Sequence, residues 1–313
     1  MFDTPDTEDE DIAETRSFDV PREGHGERID KLLAALVAEF SRSHLQGLIK
    51  AGHVGVDGLP VASPSQRLRA GQTIAVRLVP TAESRAYRPE PLPLSVVHED
   101  EHLLVIDKVA GMVVHPAAGN WSGTVLNALL ARDPQSATLP RAGIVHRLDK
   151  DTSGLMVIGR TLASVTALVR AIAAREVRRR YLAIAHGAPV AGRFTVDAPI
   201  GRDPALRTRM AVVAAGKAAR TDFEAVARGE NVTGLRCTLH SGRTHQIRVH
   251  LSSRGLPLVA DRLYGGRPAL GMARQALHAA RLGFVHPASG RPMEFDAPLP
   301  ADLAAAWKQL AAT

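Results

Sequence analysis

"RRYLAIAHG" (residues 179–187), "RFTVDAPIG" (193–201), "RTDFEAVAR" (220–228) and "GLRCTLH" (234–240) are four short runs rich in apolar and β-branched residues, set off by Gly, Pro or charged residues. Runs of that length and composition read as strands. Working outward, "LSVVHEDEHLLVIDK" (94–108) reads as a hairpin with an acidic turn. "GTVLNALLAR" (123–132) reads as a helix, and "TLASVTALVRAIAAREV" (161–177) as a longer helix with one apolar face. Strands therefore come in adjacent groups with helices inserted unevenly, which predicts an α+β fold with a mixed, mainly antiparallel sheet from residue 94 to 313.

Ahead of that domain, "TAESRAYRPEPLP" (81–93) carries three prolines and no hydrophobic period, so it reads as a linker. Residues 17–80 form a smaller unit. In "ERIDKLLAALVAEF" (27–40), Ile29, Leu32, Leu33, Leu36, Val37 and Phe40 fall at helical spacing. Ser41 or Ser43 can cap a second helix, "SHLQGLIKAG" (43–52). Two short strands then flank the Asp-Gly turn of "HVGVDGLPV" (53–61), and "QTIAVRL" (72–78) closes the unit. Residues 1–16 are acidic and aperiodic, and read as a disordered tail.

Charge narrows the partner. The 313 residues carry a net charge of +7, but seven acids (Asp3, Asp6, Glu8, Asp9, Glu10, Asp11, Glu14) crowd the first 15 residues, so the rest holds 39 basic against 25 acidic residues, a net +14. A folded surface that basic attracts polyanions through counterion release, which makes nucleic acid the first partner to consider. No apolar run approaches the roughly 20 residues of a membrane span, and a single Cys237 excludes an internal disulfide. A cytoplasmic protein is expected. His240, His245 and His250 recur every five residues, a spacing that suits neither one helical face nor a chelate, so no metal is expected. Nucleotide, dinucleotide and zinc-hydrolase loops are missing.

The chemistry concentrates in three segments. "HRLDKDTSGL" (146–155) sets Asp149 between basic residues, "RRRYLAIAHG" (178–187) starts a strand with Tyr181, and "LHSGRTHQIRVHL" (239–251) carries Arg243 in a glycine-bounded turn. Taken alone, the first is as readily a solvated turn with two acids, Asp149 and Asp151, as a site. Together the three resemble motifs of the pseudouridine synthases of the ribosomal large-subunit type, the RluA/RluD group. "DKVAGMVVHPAAGNWSGTVLNALL" (107–130), "GKAARTDFEAV" (216–226), "LPLVADRLYGG" (256–266) and "ALHAARLGFVHPASGRPMEFDAPLP" (276–300) follow the same family in order. "RIDKLLAALVAEFSRSHLQGLIKAGHVGVDG" (28–58) with "LRAGQTIAV" (68–76) resembles an S4-type RNA-binding domain.

The resemblance implies an enzyme that breaks the N-glycosidic bond of an RNA uridine, turns the uracil while it stays bound, and rejoins it through C5, without a cofactor. It implies Asp149 as nucleophile, Arg243 as the cation beside it, and Tyr181 stacked on the uracil and proposed as proton acceptor. A phenol with its ordinary pKa of about 10 is a poor base at neutral pH, so stacking is its firmer role. Arg147 matches the arginine that enters the RNA where the target nucleotide flips out. Arg28, Lys31, Arg42 and Lys50, with Arg67 and Arg69, would face phosphates from the S4-like unit.

Asp151 reads as structural, and His115 and His146 as hydrogen-bonding residues. Two departures stand out: Val109 follows Lys108 where the family usually has proline, and His240 and Ser241 precede "GRTHQ" where an acidic residue or threonine is common. Large-subunit ribosomal RNA is the expected substrate, with transfer RNA as the alternative within the family. A non-catalytic S4-domain RNA-binding or ribosome-assembly protein is the alternative outside it. A monomer is expected, with no DNA or membrane partner.

Overall fold

The computed structural model describes residues 14–79, 86–206 and 208–311. The chain divides into two compact units, Met1–Arg85 and Ala86–Thr313.

In the first unit β1 (Glu14–Asp19), α1 (Ile29–Leu36), α2 (Arg42–Lys50), β2 (Val54–Val56), β3 (Leu59–Pro60) and β4 (Thr73–Leu78) follow in order. The strands form one antiparallel sheet in the order β1-β4-β2-β3. Asp57 and Gly58 both take positive φ, 53° and 78°, the backbone a two-residue hairpin requires. Ser41 caps α2 by accepting the His44 N–H at 3.3 Å. Ile29, Leu33, Leu45, Ile49, Ile74 and Val76 are fully buried between helices and sheet.

One boundary of the sequence reading needs correction. The acidic tail does not extend to residue 16, because Glu14, Thr15 and Arg16 already pair with β4. This edge strand shows little apolar content, and its half-exposed Phe18 alone packs against the core, so it carries almost no pattern. Residues 1–13, the rest of the expected tail, lie outside the described residues.

The second unit holds β5 (Ser95–Glu99), β6 (Leu103–Lys108), α3 (Val125–Arg132), β7 (Ser153–Gly159), α4 (Leu162–Ala173), β8 (Arg178–His186) and β9 (Arg193–Asp197). A short hairpin, β10 (Ile200–Arg202) and β11 (Met210–Val212), comes next. The chain ends with β12 (Arg220–Arg228), β13 (Val232–Leu239), α5 (Gln246–Ser252), β14 (Leu277–Val285), β15 (Pro292–Asp296) and α6 (Ala301–Ala311). The main sheet runs β5-β6-β7-β14-β8-β13-β12-β9, with β15 also paired to β14. Among the described residues its one parallel pairing is β7 with β14, so the fold is the expected mainly antiparallel α+β.

The parallel contact brings the ends of distant segments to one place. Gly154 sits there at φ 115°, and a Cβ on it would lie 2.4 Å from the Ala279 carbonyl oxygen. Only glycine permits β7 to start so close to β14.

The proline-rich stretch is not a free linker along its whole length. Residues 81–85 lie outside the described residues, but from Ala86 onward the chain is tied to α3. Asn127 Nδ2 donates to the Arg88 carbonyl at 2.8 Å, and the Glu90 carboxylate accepts the Gly123 N–H at 2.9 Å. Backbone capture by a buried asparagine leaves no hydrophobic period to read.

Candidate active site

The segment 146–152 leads directly into β7 and is held by Lys108, which is 2 % exposed. Its Nζ donates to three backbone carbonyls, Val109 at 2.8 Å, Met112 at 2.9 Å and Lys150 at 3.0 Å. Burial lowers its pKa to about 8, with Asp149 and Asp151 pulling the other way. An ammonium shared among carbonyls on both sides fastens the turn after β6 to the loop that carries Asp149. Val109 contributes its carbonyl to this clasp, so the departure from proline leaves the contact intact. From the opposite side, Arg274 Nη1 donates to the Asp151 carbonyl at 2.8 Å.

Thus held, Asp149 closes a turn by accepting the Thr152 N–H on its carbonyl at 3.1 Å, and its carboxylate, 16 % exposed, faces a cleft. The cleft holds about 50 Å³ and opens to solvent, between Arg147, Asp149, Tyr181, Arg243 and Arg248. The structure thus brings Asp149, Tyr181, Arg243 and Arg147 together around one cavity. Arg147 is exposed at its rim.

The carboxylate's partner differs from the expectation. Arg243 does not pair with Asp149: it is exposed, and its Nε donates to the Ala218 carbonyl at 3.1 Å. Arg248, five residues on, takes that place, its Nη1 donating to Asp149 Oδ2 at 3.0 Å. The rest of its guanidinium grips buried Asp261, Nε to Oδ2 at 2.7 Å and Nη2 to Oδ1 at 2.8 Å. Arg248 also lies over the Tyr264 ring, 5.0 Å from its centroid. α5 explains the choice: from Gln246 to Leu251 every residue is buried, so a charge within that helix must find internal partners. A lone arginine in "QIRVHL" was the available signal, but the acid that completes it, Asp261, is remote in sequence.

Among the described residues Oδ1 of Asp149 accepts no such hydrogen bond, and His245 Nε2 lies 3.9 Å from it.

Tyr181 enters the cleft from β8, 6 % exposed. Burial pushes its phenol up to about 12; Arg179 opposes that shift and Asp149 adds to it. The phenol is therefore neutral at physiological pH, which suits a stacking surface. His146 accepts the Val157 N–H on Nε2 at 3.1 Å, and burial lowers its pKa to about 3, so it serves as a neutral hydrogen-bonding residue. His115 is likewise pushed down, to about 4, by burial.

In the first unit, Arg28 and Arg42 both turn to Asp30, a carboxylate with no exposure. Arg28 Nε donates at 3.0 Å, Arg42 Nη2 at 2.9 Å and Gln46 Nε2 at 2.6 Å. Lys31 pairs with Glu27. The expectation that these three side chains stand free for phosphates is corrected to this extent: each is engaged within the fold, while Lys50 lies exposed on the last turn of α2. Among the described residues no group of three or more His, Cys, Asp or Glu is arranged to hold a metal ion, and no helix is long and apolar enough to cross a membrane.

Residues 102–253 match the family described as RNA pseudouridylate synthase, and residues 27–74 match the S4 domain. The ribosomal large subunit pseudouridine synthase D of Xanthomonas campestris pv. campestris is 50% identical over 297 residues, covering 91% of this chain and 89% of the relative. Its namesake from Pseudomonas aeruginosa is 47% identical over 300 residues, covering 92% and 93%. Among solved structures, human RNA pseudouridylate synthase domain containing 1 superposes with a TM-score of 0.54 at 26% identity, over 73% of this chain and 90% of that one.

Proposed function

Because the chain belongs to the RNA pseudouridylate synthase family, with an S4 domain in front, we propose that it isomerises uridines of large-subunit ribosomal RNA to pseudouridine with Asp149 as nucleophile. One observation carries the assignment of the nucleophile: Asp149 gives one carboxylate oxygen to Arg248 and turns the other into a cleft walled by Tyr181. A nucleophilic carboxylate must stay ionised in a pocket dry enough to retain a detached base, and Arg248 supplies the opposing charge at 3.0 Å.

Oδ1 attacks C1′ of the flipped-out nucleotide as the C1′–N1 bond breaks, leaving a ribosyl ester and a uracil anion. The uracil turns against the Tyr181 ring, and C5 bonds to C1′ as the C1′–Oδ1 bond breaks and frees the carboxylate. The C5 proton passes through solvent while N1 takes one up. Arg147 at the rim fills the space the nucleotide vacates. Arg243 binds the RNA backbone instead of activating the carboxylate. The names of both relatives favour large-subunit RNA as substrate.

The test maps pseudouridines across total RNA in cells that carry only the Asp149→Asn protein. Loss of large-subunit sites is the expected result. Loss confined to transfer RNA overturns the substrate, and an unchanged map overturns the nucleophile.

A further inference from the structure

His245 immediately precedes α5 and holds a left-handed backbone, φ 56°, which non-glycine residues seldom adopt. Strain of this kind persists where the surroundings fix it, and here they fix the imidazole. Its Nδ1 lies 2.8 Å from the Tyr264 hydroxyl, with the two rings edge to face at 5.6 Å. The same hydroxyl accepts the Met210 N–H at 3.0 Å, from the first residue of β11. With that amide donating to it, the phenol keeps its own proton to give, and Nδ1 is the acceptor in reach. The imidazole proton then resides on Nε2, the nitrogen 3.9 Å from Asp149 Oδ1.

We infer that His245 is a positioning residue for Asp149: the chain from the Met210 amide through the Tyr264 hydroxyl fixes the imidazole so that its Nε2–H steers the carboxylate oxygen left open by Arg248. This rests on the reading of Asp149 as nucleophile. The present 3.9 Å is longer than a hydrogen bond, and a movement of about 1 Å closes it, as donors around a nucleophile commonly do when substrate binds.

A neutral donor is the right chemistry for this side. A second cation would hold the electron pair that must attack carbon, whereas an imidazole N–H orients the oxygen and leaves most of its charge. Burial favours the neutral ring; Asp149 and Asp261 favour the charged one, and Arg248 and Arg147 oppose it, with a net lowering of the pKa.

Single-turnover rates on a large-subunit RNA fragment, with enzyme in saturating excess, test the inference. His245→Leu is expected to slow isomerisation by about 10- to 100-fold, the loss typical of a misaligned reacting group, while RNA affinity changes less than about twofold. His245→Gln, whose amide nitrogen can stand where Nε2 stands, is expected to recover most of the rate. Tyr264→Phe should give a smaller loss, and nitrogen-15 NMR of its His245 should show the proton spread over both ring nitrogens instead of Nε2 alone. A His245→Leu enzyme with the wild-type rate, a Gln variant no faster than Leu, or an unaltered tautomer in Tyr264→Phe would each overturn it. An active Asp149→Asn enzyme would instead remove the reading of the nucleophile itself.

Discussion

Asp30 and Asp149 are two aspartates set among arginines, one in each unit, and they differ in what is left over. Asp30 is fully buried and receives donors from Arg28, Arg42 and Gln46 on both its oxygens. Burial pushes its carboxyl up, but those hydrogen bonds outweigh it and hold the group well below the usual carboxylate range. Asp149 has one oxygen engaged and one facing a cavity. A carboxylate with both oxygens engaged is a structural tie; a reactive one needs a partner that keeps it charged and an oxygen left open to a substrate. The arginine count beside an acid therefore does not separate the two aspartates, and the unspent oxygen does.

The largest effect expected from this contrast is on Asp149 itself. Asp149→Asn should reduce isomerisation by about 10⁴-fold or more, as loss of a covalent nucleophile does, with little change in Tm because Arg248 keeps Asp261. Turnover of tritium-labelled uridine in RNA reads the rate. Residual activity within tenfold of wild type would erase the distinction between the two carboxylates.

Arg248→Met comes next, because one side chain serves two acids. It strands the buried Asp261 as well as Asp149, and breaking such a pair costs about 3–5 kcal/mol. Thermal denaturation should show a lower Tm, accompanied by loss of activity. The double substitution Arg248→Met with Asp261→Asn should regain part of the stability and none of the activity, which separates the arginine's two duties.

Asp30→Asn should leave the chemistry unchanged and loosen the first unit by about 1–3 kcal/mol, less than a fully buried pair because both arginines are about half exposed. Amide hydrogen exchange in α1 reports it. The sign with pH follows from the depressed folded-state pKa: Asp30 stabilises above its unfolded value of about 3.9, and that contribution fades as pH falls through the lower folded value. The gap between wild type and variant is therefore full at pH 7 and closes in acid. A gap that is independent of pH would mean that packing, not charge, holds this corner.

The same contrast marks how far the residues could be read in order. The helices of the first unit and strands β8, β9, β12 and β13 were legible because each rests on local pattern: helical spacing from Ile29, and short apolar, β-branched runs between Gly, Pro and charged residues. The β10–β11 hairpin reads as the end of one longer strand, and local pattern leaves Asp149 and Asp151 equivalent until the family resemblance separates them. β1 was not legible, since an edge strand shows mostly polar side chains, and neither was the packing of Ala86–Pro93 on α3, which depends on Asn127 capturing backbone. Arg248 was missed for the reason that makes it effective. Its partners, Asp149 and Asp261, lie 99 and 13 residues away, and only the closed fold shows that they share one guanidinium. Arg243 stands in the more conspicuous motif, but the contact with Asp149 belongs to Arg248.

That reassignment gives the smallest effect and the sharpest check. Arg243 is exposed at the rim, anchored through Nε to the Ala218 carbonyl, with its backbone N–H on Gln246 Oε1 at 3.0 Å. Its terminal nitrogens are therefore available to a phosphate, and a contact of that kind adds affinity with one counterion released. Arg243→Ala should weaken RNA binding by only a few-fold at moderate salt and flatten the dependence of log K on log salt by about 0.7 to 0.9. The single-turnover rate at saturation should stay within about twofold of wild type, since no contact to the carboxylate is lost. A rate that collapses while affinity holds would return the activating role to Arg243, and would mean that the cleft rearranges on RNA until that guanidinium, not Arg248 alone, faces Asp149.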